Sequence, residues 1–195
     1  KLSPSAPRLI LFAGHAGTGK TTLAKKALPL IIEKTGEDFF FLDKDTVYGA
    51  YSAHVMELTT NNPNDRDSPF YLQNLRDWEY AGLIAIAKEN LQLGVNLILV
   101  GPFSTEIQSG RIFNPEELGV PGVSSIKIAW IDLDESEAKS RMEKRADPRD
   151  EWKLKHWNQY IQRRVEPPEH IAIQRFDNLH FDETNFEKLI KHLIE

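Results

Sequence analysis

The residues from Gly14 to Thr21 have the types and the spacing of a phosphate-binding loop. Their sequence, GHAGTGKT, matches the full Walker A pattern G-x-x-x-x-G-K-[ST]. Glycines at such a turn allow backbone N–H groups to point inward at phosphate oxygens. We expect Lys20 to reach the β- and γ-phosphates of ATP, and the Thr21 hydroxyl to ligate Mg²⁺. The predicted nucleotide contacts are Gly14, His15, Ala16, Gly17, Thr18, Gly19, Lys20 and Thr21.

The context of this motif distinguishes it from a glycine-rich turn that binds nothing. The apolar run Leu9–Ala13 comes before it and predicts a strand buried on both faces of a parallel sheet. Helical spacing follows it, and the N-terminus of a helix adds partial positive charge beside the phosphates. The motif therefore predicts nucleotide binding, but it does not indicate what happens to the γ-phosphate.

Two carboxylates follow the second apolar run of the chain, Phe39–Leu42. Asp43 and Asp45 are two residues apart, so on an extended chain their side chains point the same way. One can help to hold magnesium through water, while the other accepts a proton from an attacking hydroxyl group. We predict that Asp45 is the base and Asp43 the magnesium-side group. The alternative is turn chemistry, in which Asp45 caps a helix that begins at Thr46.

Arginines recur every four residues later in the chain, at Arg141, Arg145 and Arg149. The first two share one helical face. Phosphoryl transfer needs cations beside the transferring group, and a mobile lid that carries them also excludes water. A solvated helix face, with Glu137 and Glu143 in ion pairs, explains the same spacing. Spacing alone leaves both interpretations open.

Composition limits the classes of protein to which the chain can belong. It has 195 residues, 41% of them hydrophobic and 27% charged, which is typical of one globular α/β domain. With no cysteine, it has no disulfide or thiolate metal site. A formal net charge of −5 disfavours a general nucleic-acid binder. The sequence has no run of eighteen apolar residues that would predict a membrane span, so we expect a cytoplasmic protein without a membrane partner. A monomer or a homodimer is expected, and nothing in the sequence decides between them.

Apolar runs alternate with helical patterns along the whole chain. This alternation predicts a parallel sheet with helices on both faces, in a single domain that spans residues 1–195. Strands are predicted at 9–13, 39–42, 95–100, 126–131 and 178–182. Helices are predicted at 20–34, 78–93, 134–145 and 150–164, and a last helix is predicted to be capped by Asp182 or Thr184. Pro29 should bend or shorten the first helix, and Gly36 should end it.

Together these motifs resemble the small P-loop kinases of the polynucleotide kinase, zeta toxin and chloramphenicol phosphotransferase group, with shikimate and gluconate kinases more distant. The resemblance covers the chain from about Leu9 to its end. In that group the hydroxyl-activating Asp matches Asp45. An Arg-x-x-x-Arg pair on the lid helix, which contacts ATP and the transferring phosphate, matches Arg141 and Arg145. The segment that begins Arg149-Asp150 also resembles the lid of AAA-type ATP-binding, kinase-like proteins.

The resemblance implies a P-loop fold with a five-stranded sheet of order 2-3-1-4-5 and an arginine-bearing helical lid at about residues 135–168. It also implies an acceptor-binding region at about residues 46–80. Within that region and at its edge, the candidate acceptor contacts are Asp45, Arg66, Tyr71, Arg76 and Tyr80. Taken singly, each of the last four also suits a structural role. Nothing in the sequence names the acceptor, and a preference for ATP over GTP is a family expectation.

The chain departs from many P-loop enzymes after its third strand. Gly101-Pro102-Phe103 stands there instead of a Walker B Asp, and adenylylsulfate kinases are similar, with a Ser-Pro-Phe turn. Magnesium would then depend on Thr21, phosphates, water and Asp43. Asp132, after the fourth strand, is a rival metal carboxylate.

Other P-loop classes fit the sequence less well. A GTPase switch would carry Asp-x-x-Gly and Asn-Lys-x-Asp motifs, and an ATPase motor would carry Asp-Glu on the third strand; the chain has none of these. A 5′-hydroxyl polynucleotide kinase would need a basic groove, which the net charge disfavours although late lysines and arginines leave it open. A nucleotide-binding protein without transferase activity would not need Asp45 and both lid arginines. We therefore predict an ATP- and Mg²⁺-dependent kinase whose acceptor is a small-molecule hydroxyl.

Overall fold

A computed structural model describes residues 6–123 and 125–195 of the chain, so the first five residues of the predicted domain lie outside the described part. Five parallel strands form one sheet of order β2-β3-β1-β4-β5, which confirms the predicted topology. The strands are β1 (Leu9–Ala13), β2 (Phe39–Asp43), β3 (Asn96–Val100), β4 (Ile126–Asp132) and β5 (Ile173–Asp177).

Helices cover both faces of the sheet. They are α1 (Lys20–Thr35), α2 (Lys44–Thr60), α3 (Pro69–Asn74), α4 (Arg76–Gln92), α5 (Ser104–Gln108), α6 (Pro115–Leu118), α7 (Glu135–Arg145), α8 (Glu151–Lys155), α9 (Trp157–Ile161) and α10 (Glu183–Ile194). Short 3₁₀ helices span Arg111–Phe113 and Pro148–Asp150. In the described part of the chain, no helix is both long and apolar enough to cross a membrane.

The core consists of two apolar layers that the central strand β1 shares. Leu9, Leu11 and Ala13 face a layer that includes the buried side of α4. Ile10 and Phe12 face the opposite layer, which is built on α1 and α10. All five residues of β1 are buried, because a central parallel strand is covered by helices on both faces. This core fixes the loop that leaves β1.

Several local predictions need correction. Pro29 does not shorten α1, which continues past it to Thr35, whereas Gly36 ends the helix in a left-handed conformation as predicted. The helix predicted at 150–164 breaks at His156 into α8 and α9. The helix predicted to begin after Asp77 begins at Arg76, with Leu75 in the capping position.

The fifth strand lies earlier than predicted, at Ile173–Asp177. The predicted segment 178–182 lies beyond the end of β5. Asn178 still donates its backbone N–H to the carbonyl of Asp132 in β4, and its side chain donates to the Thr18 carbonyl of the phosphate loop. Asp182 caps α10 by accepting from the N–H of Asn185, as predicted. The ends of the strands therefore supply both the cleft and the loops that brace it.

Candidate functional site

The phosphate loop takes its shape from three glycines with left-handed backbone conformations. The φ angles of Gly14, Gly17 and Gly19 are 142°, 80° and 88°. A Cβ atom on Gly14 would lie 2.6 Å from the carbonyl oxygen of Ile131, and one on Gly19 would lie 2.6 Å from Nδ2 of Asn178. Glycine is favoured at these positions because it adopts a positive φ angle easily and has no Cβ atom to clash with these neighbours. The packing around the loop therefore supports the curled backbone that the motif predicts.

Lys20 begins α1, and its ammonium group lines the cleft below the loop. Its Nζ lies 3.3 Å from the His15 carbonyl oxygen, which accepts from it. Burial lowers the pKa of Lys20 to about 8, although Asp45 and Asp43 oppose the shift. An ammonium group that is poorly hydrated and has spare donors is suited to an anionic partner such as a phosphate.

Asp43 accepts a hydrogen bond from Thr21 and is the N-terminal cap of α2. The Thr21 hydroxyl donates to Oδ2 of Asp43 at 2.9 Å, and the backbone N–H of Asp45 donates to Oδ1 at 2.8 Å. Asp43 is therefore the cap of α2, and the carboxylate of Asp45 does not serve as the cap. The hydroxyl and the carboxylate are oxygen ligands of the kind that Mg²⁺ takes beside phosphate oxygens.

Asp45 lies at the mouth of the cleft, where 58% of its side chain is exposed. Lys44 Nζ is 3.4 Å from Oδ1, Arg149 Nη1 is 3.9 Å from Oδ2, and Arg66 Nη2 is 4.0 Å from Oδ1. Burial pushes the pKa of Asp45 upward, but Lys44, Lys20, Arg66 and Arg149 outweigh it and lower the pKa. The carboxylate is therefore ionised at neutral pH and can accept a hydrogen bond from a hydroxyl.

Glu79 is the centre of a buried ionic cluster beside Asp45. Only 3% of its side chain is exposed, and its carboxylate accepts from Lys44 at 2.8 Å and from Arg66 at 2.7 Å. The hydroxyl groups of Ser52 and Tyr71 also donate to it. Two of the predicted acceptor contacts, Arg66 and Tyr71, are thus held in place by a carboxylate that sequence analysis missed.

The other two predicted acceptor contacts, Arg76 and Tyr80, brace the turn after β3. Arg76 makes two hydrogen bonds to Glu106, at 2.9 and 3.3 Å, and its guanidinium lies 4.1 Å from the centre of the Tyr80 ring. The Tyr80 hydroxyl accepts from the backbone N–H of Phe103, a residue with a φ of 51°. Both side chains also line the cleft.

The predicted lid, at about residues 135–168, includes α7 to α9. Several of its side chains line the cleft, and two of them contact Asp67, which also lines the cleft. Lys153 is 2.7 Å from Oδ2 of Asp67, and Arg163 donates to the backbone carbonyl of Asp67 at 2.9 Å. Arg145 makes two hydrogen bonds to Asp150 and lines the cleft. The hydroxyl of Tyr160, from α9, accepts from the Ala16 N–H of the phosphate loop at 3.1 Å.

Arg141, the partner of Arg145 in the sequence motif, lies outside the cleft. Its Nε donates to Glu137 at 2.9 Å, and its Nη2 donates to the carbonyl of Asn178 at 3.0 Å. It therefore joins α7 to the loop after β5, which also contacts Gly19 and Thr18 of the phosphate loop through Asn178. Its predicted contact with ATP stays a prediction.

The rival metal carboxylate, Asp132, also lies outside the cleft. Its oxygens accept from Arg175 at 2.7 and 3.0 Å and from the indole N–H of Trp130 at 2.8 Å. His15 packs edge-on against Trp130 and contacts the Val165 carbonyl at 3.0 Å through Nε2. Burial lowers the pKa of His15, so this residue of the loop is neutral at pH 7. Of the two carboxylates, Asp43 is the one beside Thr21.

The cleft has a volume of about 520 Å³ and a cationic lining. Nine of its lining residues are cationic and four are acidic, in a chain whose formal net charge is −5. Carboxylates behind the wall, such as Glu79 and Glu106, offset part of this charge. The cations are Lys20, Lys44, Arg66, Arg76, Arg145, Arg149, Lys153, Arg163 and Arg164, and the acids are Asp43, Asp45, Asp67 and Asp150.

Sequence analysis named some of these residues without assigning them to the site. The late lysines and arginines, among them Lys153 and Arg163, were considered only as a possible basic groove of a polynucleotide kinase. Lys44 and Glu79 gave no local signal, because their partners are distant in the sequence. Among the described residues there is no cluster of three or more His, Asp or Glu side chains that could hold a metal. A magnesium ion would therefore depend on Thr21, Asp43 and oxygens of the nucleotide.

Comparisons with known proteins bear on the family and the fold of the chain. A family model described as an AAA domain matches residues 9–168. A search of curated proteins found no match. The fold is similar to that of an APS kinase from Mycobacterium tuberculosis in complex with AMPPNP and APS, with a TM-score of 0.64, 18% identity, and coverage of 98% of this chain and 100% of that chain.

Two further solved structures are similar in fold. One is an unliganded sugar kinase from Janibacter sp. HTCC2649, with a TM-score of 0.59, 19% identity, and coverage of 96% of this chain and 94% of that chain. The other is a gluconokinase from Sinorhizobium meliloti 1021, with a TM-score of 0.54, 15% identity, and coverage of 97% and 91%. At these identities the comparison establishes the P-loop kinase fold and leaves the acceptor undefined.

Proposed function

The chain belongs to the AAA domain family, and on that premise we propose that it is an ATP- and Mg²⁺-dependent kinase that transfers the γ-phosphoryl group to a hydroxyl group of a small molecule. The observation that carries the proposal is the placement of Asp45. Its carboxylate shares one cleft with the Lys20 ammonium, close enough for each group to shift the pKa of the other. Asp45 also balances the charge of Lys44, Arg66 and Arg149, so the test must separate a catalytic role from a structural one.

The residues of the cleft divide the work of phosphoryl transfer. Backbone N–H groups of the phosphate loop and the Lys20 ammonium bind phosphate oxygens. Asp45 orients the acceptor hydroxyl and accepts its proton as the oxygen–phosphorus bond forms. A carboxylate with a lowered pKa is a weak base, which suits a loose transition state that needs late proton transfer. Arg145 and Arg149, from the lid, supply positive charge and help to exclude water.

The magnesium ion fits the donor set beside the loop. Thr21 and Asp43 would hold Mg²⁺ together with phosphate oxygens, and the ion would neutralise part of the phosphate charge. The hydroxyl oxygen of Thr21 and Oδ2 of Asp43 are 2.9 Å apart, so both oxygens are close enough to contact one ion.

The names of the similar structures support a small acceptor. They are kinases named for a sugar, for gluconate and for APS. The lid supports the same conclusion. Lys153 and Arg163 of the lid contact Asp67 on the proposed acceptor side of the cleft, which leaves less room there for a large acceptor. Membership of the polynucleotide kinase, zeta toxin and chloramphenicol phosphotransferase group stays a prediction from the sequence.

The test is a phosphate-transfer screen with γ-labelled ATP and Mg²⁺ against pooled nucleosides, sugars, hydroxylated antibiotics, hydroxy acids, sugar phosphates and 5′-hydroxyl oligonucleotides. Asp45→Asn is the test variant, and Asp38→Asn, an exposed residue before β2, is the matched control. We expect label on one small-molecule pool with wild type and with Asp38→Asn. We expect Asp45→Asn to reduce transfer about 10²- to 10⁴-fold while the affinity for AMPPNP stays nearly unchanged.

Three other outcomes would count against the proposal. Label on oligonucleotides would identify a polynucleotide kinase. Free phosphate released equally by wild type and Asp45→Asn would indicate an ATPase or a switch. Equal loss of AMPPNP affinity and of transfer in Asp45→Asn would make Asp45 a structural residue.

A further inference from the structure

The acceptor side of the cleft contains polar groups that the fold does not satisfy. We use the term acceptor lobe for Lys44, Arg66, Asp67, Tyr71, Glu79, Lys153 and Arg163. Within the described part of the chain, two buried side-chain nitrogens lack a hydrogen-bond partner, and they are Arg66 Nε and Arg163 Nη2. Both arginines line the cleft and belong to this lobe. Buried N–H groups without partners are rare in folded proteins, because each costs free energy.

The Nε–H of Arg66 has no partner because other donors already occupy the carboxylate of Glu79. Only 8% of the Arg66 side chain is exposed, and its Nη2 donates to Glu79 at 2.7 Å. The Glu79 carboxylate also accepts from Lys44, Ser52 and Tyr71, so four donors share its two oxygens. A carboxylate has about four lone-pair sites, so Glu79 has no capacity left for the Nε–H of Arg66.

Arg163 is held on its other sides in a similar manner. Its Nη1 donates to the carbonyl of Asp67 at 2.9 Å, and its guanidinium stacks 4.7 Å from the centre of the Trp152 ring. The Asp67 carboxylate is taken by Lys153 at 2.7 Å. These contacts hold the Nη2 atom of Arg163 in place. Arg163 belongs to the lid and Arg66 to the segment before α3, and both line the acceptor lobe.

The acceptor lobe also carries more positive than negative charge, which favours an anionic ligand. Four cationic side chains, Lys44, Arg66, Lys153 and Arg163, surround two carboxylates, the buried Glu79 and the partly buried Asp67. Asp45 and Asp150 also contact these cations, but each is shared with a lid arginine, Arg149 and Arg145 respectively. Unpaired donors on arginine are met best by anionic oxygens, because a charged acceptor strengthens the hydrogen bond.

We propose, on the premise that the protein is a kinase, that its acceptor is an alcohol that also carries an oxyanion, a phosphate, sulfate or carboxylate group. Arg66 Nε and Arg163 Nη2 bind the oxyanion, and the hydroxyl lies against Asp45. Arg66 Nη2 is 4.0 Å from Asp45 Oδ1, which places the Arg66 guanidinium beside the carboxylate that would take the hydroxyl, and Arg163 lines the same cleft. In the transfer, the acceptor oxygen bonds to the γ-phosphorus, the bond to the ADP oxygen breaks, and the hydroxyl proton passes to Asp45.

A binding titration tests the oxyanion site without any transfer. The protein is saturated with AMPPNP and Mg²⁺ so that the phosphate loop is filled, and inorganic phosphate or sulfate is then titrated by calorimetry at constant ionic strength. Arg66→Lys keeps the charge and the reach to Glu79 but removes the Nε–H, and Arg163→Gln removes the second donor. Lys188→Gln, an exposed residue of α10, is the control for loss of one positive charge.

We expect saturable binding by wild type and by Lys188→Gln, and about tenfold weaker binding by Arg66→Lys and by Arg163→Gln. No binding by wild type, or equal affinity in all four proteins, would overturn the oxyanion site. If Arg66→Lys proves unstable, Arg163→Gln, whose side chain lies on the lid, decides the question alone.

The transfer screen then separates the two proposals. An acceptor that carries an oxyanion, and whose KM rises about tenfold in Arg163→Gln, supports both. A neutral acceptor whose kcat/KM is unchanged in that variant overturns the oxyanion proposal and leaves the kinase standing. Saturable oxyanion binding with no transfer to any pool overturns the kinase and leaves the anion site.

Discussion

The phosphate loop and the acceptor lobe face each other across one cleft, but they are built differently. The loop is eight consecutive residues, and its shape depends on backbone torsions at three glycines. The lobe gathers charged side chains from positions as far apart as Lys44 and Arg163, and its shape depends on ion pairs. We therefore expect the phosphate loop to be sensitive to a Cβ atom added at its glycines, and the acceptor lobe to be sensitive to the loss of a charged side chain.

The largest expected effect tests the lobe through its central carboxylate. Glu79→Gln leaves Lys44 and Arg66 buried without their shared counter-charge, which should lower the free energy of unfolding by about 3–5 kcal/mol. Chemical denaturation measures the change. Glu89→Gln, on the exposed side of the same helix, is the control and should be nearly neutral. Equal stabilities would show that the cluster contributes little.

The second effect tests the loop through its one charged side chain. Lys20→Ala should reduce kcat/KM for ATP about 10²- to 10³-fold, because it removes a donor to the transferring phosphate. The free energy of unfolding should not fall, since burial already disfavours the charged form of Lys20. Transfer kinetics and denaturation together check this. A loss of stability matching that of Glu79→Gln would erase the contrast between the two regions.

The third effect tests the backbone of the loop. Gly19→Ala forces a Cβ to within 2.6 Å of Asn178 at a φ of 88°, which should cost about 1–3 kcal/mol in AMPPNP binding or in stability. Gly49→Ala, in the middle of α2 with no atom within 4 Å of the new Cβ, should be neutral or stabilising. Calorimetry and thermal unfolding measure both variants. Similar behaviour of the two would remove the packing argument for the loop.

The smallest effect is a pH dependence that belongs to the loop alone. The pKa of Lys20 is lowered to about 8 in the free protein, so its ammonium form is present below pH 8 and is lost above it. Phosphates bind that form, so the affinity for AMPPNP should fall about tenfold between pH 7 and pH 9. Lys20→Met should remove most of this fall. A wild-type affinity that is flat across this range would contradict the assignment of Lys20.

The same contrast explains which features could be predicted from the sequence. The first four strands depend on local apolar runs, and they were confirmed. The sheet order, which the family resemblance implied, was confirmed as well. The fifth strand was misplaced because residues 178–182 mix apolar and polar types much as Ile173–Asp177 does, while the contacts of Asn178 with Asp132 and with the phosphate loop are long-range. Sequence periodicity carries no information on such contacts.

The site residues show the same limit. Arg141 and Arg145 share a spacing, but Arg141 is held by Glu137 and the loop after β5, whereas Arg145 ends α7 and reaches Asp150 in the cleft. Glu79 is one of many acidic residues along the chain, and nothing near it in the sequence marks it as buried. Its role follows from partners at positions 44, 52, 66 and 71, which only the folded chain brings together.

The ion pair between Lys153 and Asp67 has a consequence for the order of events in a turnover. It joins the lid to the segment that enters the acceptor lobe, and only 10% of the Lys153 side chain is exposed. Opening the cleft on that side must separate the two charges and hydrate both. In the proposed reaction, an acceptor that enters on this side would require this ion pair to break. The lid also contacts the phosphate loop, but there the hydrogen bond from the Ala16 N–H to the Tyr160 hydroxyl joins uncharged groups, so the two ends of the cleft would open at different free-energy costs.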